Sequence, residues 1–258
     1  AVMACSGGLD AAFTLWRHVS GLASHAALKI HKCIMMEGIE LSDRPASFAR
    51  AFADNQAMVG SLGVPLVRVG TNYREVIPTD MLLGYGALLA GCLHHFKGEA
   101  GTGLIACGYS YADLEMTSLG SNALTDPLLS SADFKIFHDG AGTRRVDKVE
   151  ALAKWSESGQ FARVCWQPEG KGGNCGHCEK CLRTQLTFLV TTGQVPSMFP
   201  PGLPLRSLIK KLRVPRECKV WWAELRDWIE EHDQGREWLR LVRQKARRNV
   251  PFGRRLRR

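Results

Sequence analysis

The sequence lacks any apolar run long enough to cross a bilayer, and nothing at its start reads as a secretory signal. It also lacks internal repeats. A membrane span and a solenoid are therefore not expected. Charge imbalance is missing from most of the chain. Residues 1–235 hold 24 basic and 24 acidic residues, whereas residues 236–258 hold ten basic and one acidic. The formal net charge of +9 thus belongs to the C-terminal end and says nothing about the core's substrate. An initiator Met is absent too: Ala1 falls inside an apparent strand, so elements upstream are expected. The 258 residues suffice for one large core, or one domain with a small appendage.

What is present alternates. Residues 1–5, 31–36, 64–69 and 103–107 read as short buried strands. Residues 10–24, 46–62 and 80–96 read as helices between and after them. The pattern predicts an α/β fold, a doubly wound parallel sheet with helices on both faces. Ligands in such sheets bind at the carboxyl ends of the strands, where the strand order reverses. Residues 108–144 are rich in Gly, Ser, Asp and Tyr and are expected to form a substrate-facing loop. Residues 146–155 and 179–191 look helical, Pro196 to Pro204 mark a linker, and residues 217–248 read as one or two amphipathic helices. Trp221, Trp222, Leu225, Trp228 and Ile229 share one face there, for burial within the chain or across a homodimer. Three units follow: an α/β domain over 1–164, a knuckle and helix over 165–193, and a helical extension with a basic tail over 204–258.

Cys165, Cys175, Cys178 and Cys181 are spaced Cys-x9-Cys-x2-Cys-x2-Cys, four thiols within 17 residues. This suits tetrahedral Zn²⁺, with Gly176 allowing the tight turn and Cys165 arriving from a separate segment. Disulfides or reactive thiols are the alternative. Four sulfur ligands leave no open position, so the metal is expected to be structural. Cys5, Cys33, Cys92 and Cys107 read as buried thiols. Together with the knuckle they predict a reducing, cytoplasmic setting.

Ser6-Gly7-Gly8-Leu9-Asp10 directly follows the first strand and opens the first helix. The glycines let the backbone bend so that N–H groups point at one anion, and the helix N-terminus adds partial positive charge. The loop is expected to cradle phosphate, with Asp10 placed to hold Mg²⁺. A helix-capping Gly turn is the alternative.

Here the chain resembles the N-type ATP pyrophosphatases, the adenine nucleotide alpha hydrolase-like superfamily. SGGLDA resembles their SGGxDS pyrophosphate loop, and the four cysteines followed by Arg183 resemble the late zinc cluster of its 7-cyano-7-deazaguanine synthase branch. The two motifs span most of residues 1–193. The resemblance implies cofactors ATP, Mg²⁺ and Zn²⁺ and an adenylate-forming ligase. Such an enzyme activates a carbonyl or carboxylate for nitrogen attack, with a small-molecule acceptor and a nitrogen donor as partners. It implies Ser6, Gly7, Gly8, Leu9 and Asp10 at the pyrophosphate, Met36 beside adenine, and Lys148 and Arg145 at the phosphates, with Asp10 and Lys148 catalytic. Ala11 departs from the motif's final Ser, which removes a hydroxyl and bears on turnover. The branch's substrate segments do not recur between residues 37 and 130, so a different acceptor is expected. An RNA-thiolating enzyme of the same superfamily, with Cys107 or Cys5 as sulfur carrier, and a catalytically silent nucleotide-binding module are the alternatives.

Other residues have two readings each. Asp113 and Asp126 suit substrate or metal binding, or turns and caps. His138-Asp139 suits a metal or acid/base pair, or the end of a strand. Arg144 lies beside the basic segment. His94-His95 and Met35 read as structural. The basic tail 236–258 suits nucleic-acid contact, or a solvated end.

Overall fold

The computed structural model describes residues 1–41, 44–77, 80–111 and 119–247. Asp113 and residues 248–258 of the basic tail lie outside them. Five strands form the sheet: β1 (Val2–Ala4), β2 (Lys32–Glu37), β3 (Leu66–Gly70), β4 (Thr102–Ala106) and β5 (Lys135–Asp139). All pair in parallel in the order β3-β2-β1-β4-β5. The order reverses between β1 and β4, which opens a crevice at their carboxyl ends.

Strand periodicity divides the sheet's side chains between two cores. Met3, Cys33, Met35 and Leu104 face one layer, with α1 (Leu9–Val19) and α2 (Pro45–Gly60). Val2, Ile34, Ile105 and Ile136 face the other, against α4 (Met81–His94). The short helix α3 (Tyr73–Val76) precedes α4. The expected α/β sheet flanked by helices is present.

The segment expected as loop over 108–144 contains β5. Its sequence, Lys-Ile-Phe-His-Asp, is mostly polar or charged because β5 is an edge strand, with Lys135 and Phe137 exposed. Burial on both faces, the signal used to find the other strands, does not apply there. The stretch before β5 is fastened to α4. Gly120 N–H donates to the Leu82 carbonyl at 2.8 Å, and a Cβ on Gly120 would stand 1.7 Å from the Leu83 oxygen.

After β5 come α5 (Arg145–Leu152) and α6 (Ser156–Phe161), then the knuckle and α7 (Glu179–Thr192). The region read as a linker leads into α8 (Leu205–Lys211). The last amphipathic stretch is two helices, α9 (Lys219–His232) and α10 (Arg236–Ala246), separated at Asp233 and Gly235, both with positive φ. Trp222, Leu225, Trp228 and Ile229 are buried within the chain, against Leu182, Leu186 and Val190 of α7 and Val146 of α5. The first part of the basic tail is therefore a packed helix: Trp238, Leu239, Leu241 and Val242 are buried, and Arg243 pairs with Glu230. No helix among the described residues is long and apolar enough to cross a membrane.

Candidate functional site

The turn after β1 is set by Gly7, whose φ of +78° is left-handed and favours glycine. A Cβ there would also press on Asn55 at 3.3 Å. Asn55, buried on α2, donates to the Cys5 carbonyl at 2.9 Å and so fixes where the strand ends. Gly8 caps α1 with extended backbone, and its N–H donates to the Ser6 hydroxyl at 3.3 Å. Leu9 and Ala11 turn into the core. A hydroxyl at position 11 would enter an apolar layer, which accounts for alanine being accommodated there.

Asp10 faces the crevice, and both its oxygens are held by α5. Arg145 Nη1 donates to Oδ2 at 2.7 Å and Lys148 Nζ to Oδ1 at 3.2 Å. The two cations lie three residues apart, on one face of the helix. Lys148 is buried, and its ammonium also donates to the Cys107 carbonyl, at 2.6 Å, at the end of β4. Loop and basic helix thus meet at the point where the sheet order reverses. Burial alone would raise the Asp10 carboxyl, but Arg145 and Lys148 outweigh it and hold it below the usual carboxylate range.

Four residues at this site were not singled out from sequence. Lys180, in the first turn of α7, is near enough to Asp10 and Arg145 to feel their charges. Burial first, then Arg145, pulls its ammonium down to about 8. Its Nζ also lies over the exposed Trp166 ring, 3.4 Å from the centroid. Arg163 pairs with Glu40 at 2.6 Å, and its N–H donates to the Gly7 carbonyl at 2.8 Å. These residues come from distant segments, so no local spacing reveals them. Met36, expected beside adenine, lies in β2 in register with Val69, half-buried and packed on the α4 side of the sheet.

The C-terminal helices shape the same region. Glu224 of α9 accepts from the Arg145 N–H at 3.0 Å, which places a carboxylate at the N-terminus of α5. Arg144 pairs with Asp147 and Glu231, and its side chain is occupied away from Asp10. Trp221 stacks on the guanidiniums of Arg145 and Arg183, 5.5 and 4.5 Å from its ring centre, and on Tyr109. Arg183, buried on α7, pairs with Glu179, which also accepts from Trp222 Nε1 at 2.9 Å.

The four cysteines of the knuckle converge. All four sulfurs lie within 4.8 Å of one another, with Cys165–Cys178 and Cys175–Cys181 each at 3.8 Å. Disulfides would need about 2.05 Å. A tetrahedron with Zn–S bonds of about 2.3 Å has edges of about 3.8 Å, so the donor set fits zinc. Backbone N–H groups of Gln167 and Cys178 point at the sulfurs of Cys165 and Cys175. Gly176 makes the turn with φ +83°. Asn174 binds the incoming segment: its Oδ1 accepts from Val164 and Cys165 N–H, and its Nδ2 donates to Ala162 and Met198 carbonyls.

Asp126 and His138 are brought together, 2.7 Å apart and both buried, in a place separate from Asp10. Asp139 turns away from His138 and pairs with Arg17 and His18. His94 is structural, bonded to the Leu129 carbonyl and packed on Phe134.

The chain matches no family model, no curated protein and no solved structure.

Proposed function

We propose that the chain is an ATP-dependent, adenylate-forming enzyme of the carbon–nitrogen ligase type. The observation that carries this reading is the meeting of the Ser6–Asp10 turn with Arg145 and Lys148 at the strand-order reversal. A bent backbone at a helix N-terminus and two or three converging cations suit a polyphosphate. Ser6, Gly7 and Gly8 would hold the pyrophosphate portion, and Arg145, Lys148 and Lys180 would balance its charge. Asp10, the acid nearest the turn, would hold Mg²⁺ once the cations turn to phosphate oxygens. ATP would supply the adenylyl group for a small-molecule acceptor, and its pyrophosphate would leave towards the cations. The zinc knuckle would fix the first turn of α7, and so Lys180, relative to the crevice. It offers no open coordination position, and we assign it no chemical step.

The test is release of AMP and pyrophosphate from ATP with panels of carboxylates or amides and an amine source. Asp10→Asn should lower release at least a hundredfold; because it also takes a counter-ion from the buried Lys148 ammonium, release is compared at a temperature where circular dichroism shows both proteins folded. Equal release by Asp10→Asn and the parent would sink the assignment. Binding of ATP without release under any acceptor would instead favour a silent nucleotide-binding module.

A further inference from the structure

The turn after β1 has a cation on one side and a carboxylate on the other. Lys148 reaches it from the β4 side, bonded to Asp10 and to the Cys107 carbonyl. Glu40 stands on the β2 side, in the loop that follows β2 at the same edge of the sheet. That loop is pinned. Gly38 has a φ of +96°, and a Cβ there would stand 2.0 Å from the Thr71 carbonyl oxygen. Arg74 donates to the Ile39 carbonyl. Ile39 and Leu41 are buried on either side of Glu40, whose side chain is left 39% exposed. Arg163 joins this loop to the turn. Its backbone N–H donates to the Gly7 carbonyl, and its Nη2 donates to Glu40 Oε2 at 2.6 Å. Its Nη1 donates to the Cys165 carbonyl at 2.7 Å, which fixes the guanidinium. The carboxylate is therefore held one arginine's length from the Ser6–Asp10 turn, and its Oε1 has no partner among the described residues. Burial would raise the Glu40 carboxyl, but Arg163 and then Lys180 outweigh it and hold it below the usual carboxylate range. An ionised carboxylate can only accept hydrogen bonds, so Oε1 repels a phosphate and selects a donor.

We propose that Glu40 binds the ribose hydroxyls of the nucleotide and so makes the site select ribonucleotides over their deoxy analogues. The inference rests on the proposed ATP site and gives that site its second end. A nucleoside triphosphate is polyanionic at one end and presents neutral hydroxyl donors at its ribose. The cations of α5 draw the first end, and the carboxylate across the turn accepts from the second. The reverse placement would set phosphate against carboxylate. Arg163 is the positioning residue, because one end of it holds the turn and the other holds the acid. An acceptor placed for a hydroxyl discriminates against the analogue that lacks it, since the acceptor is then left unpaired.

The test is titration calorimetry of the full, zinc-loaded chain with ATP, 2′-deoxyATP and 3′-deoxyATP at fixed Mg²⁺ and salt. The parent should bind ATP at least about tenfold more tightly than one or both deoxy analogues. Glu40→Gln keeps an oxygen for Arg163 and turns an amide N–H towards the ligand. It should bring the ratio to about unity, by weakening ATP while leaving the deoxy analogues as tight as in the parent or tighter. A merely structural role for Glu40 would weaken all three nucleotides alike and leave the ratio unchanged, which overturns the inference. Equal affinity of the parent for ATP and both analogues also overturns it, and leaves the ATP reading standing. No binding of any nucleotide by the folded parent overturns both. Should Glu40→Gln not fold, the ratio in the parent decides alone.

Discussion

A single ammonium, that of Lys148, ties together the end of β4, the first turn of α1 and the body of α5. It is 2% exposed and divides its hydrogen bonds between Asp10 and the Cys107 carbonyl. Lys148→Met keeps most of the volume and removes the charge. It should cost about 1–3 kcal/mol of stability, by leaving buried acceptors unpaired, and should weaken pyrophosphate binding at least tenfold. Chemical denaturation and calorimetry measure the two effects separately. His138 gives a pH signature. Its folded pKa, about 9, lies above the ordinary imidazole value, so the charged pair with Asp126 stabilises the fold fully below about pH 6.5. That contribution, on the order of 3 kcal/mol, is lost as pH rises through 9. Lys180 titrates in the same range with the opposite sign, because its pKa is lowered. The melt of the parent should therefore be compared with that of His138→Gln, whose alkaline decline should be shallower. The glycine turn before the first helix pointed to Asp10, and the family resemblance pointed to Lys148 and Arg145. They left Asp126 and His138 as two separate residues with two readings each, because partners twelve residues apart in an edge-strand region carry no periodic signal.

At the level of elements, the knuckle and the edge strand behave differently. The cysteine spacing indicated which four residues meet, because Cys-x2-Cys turns have a narrow geometry and three of the four sulfurs lie within seven residues. Metal analysis should find one zinc per chain. A strong chelator should lower the melting temperature by ten degrees or more, since without the ion four crowded thiols are left at the start of α7. An unchanged melt after complete zinc removal would show that Asn174, and Gln185 of α7, whose amide donates to the Gly176 carbonyl at 2.7 Å, hold the knuckle unaided. The Gly120 contact is backbone against backbone, so it cannot relax by a rotamer change. Gly120→Ala should destabilise the fold by about 2 kcal/mol or more and loosen the segment that carries Asp126, which hydrogen exchange can follow. Neither β5 nor this contact was legible beforehand: one is a mostly polar edge, and the other depends on how closely two segments approach.

Over the whole molecule, the last helices are part of the support for the site. α9 contributes Glu224 to the N-terminus of α5 and Trp221 to the guanidiniums of Arg145 and Arg183. It buries Trp222 and Trp228 almost completely. A chain ending before α8 would expose this apolar layer, and it should aggregate or lose its cooperative melt. Residues 248–258 hold five of the tail's ten basic residues and follow the end of α10, so they can be deleted without cutting a helix. If the tail meets nucleic acid, the same deletion should abolish salt-dependent RNA binding, which a filter or polarisation assay reads directly.

By itself the sequence determined the alternating α/β architecture, the turn after the first strand and the four-thiol cluster. Each is encoded by short-range pattern: buried strand runs, paired glycines at a strand–helix junction, and closely spaced cysteines. Only the tertiary structure decided that α5 delivers Arg145 and Lys148 onto Asp10 and that Lys180 joins them from the knuckle helix. Those meetings are fixed by the strand order and by the packing of α5 against α1, α7 and α9. They bring together residues separated by tens of positions along the chain, a distance over which local periodicity carries no information.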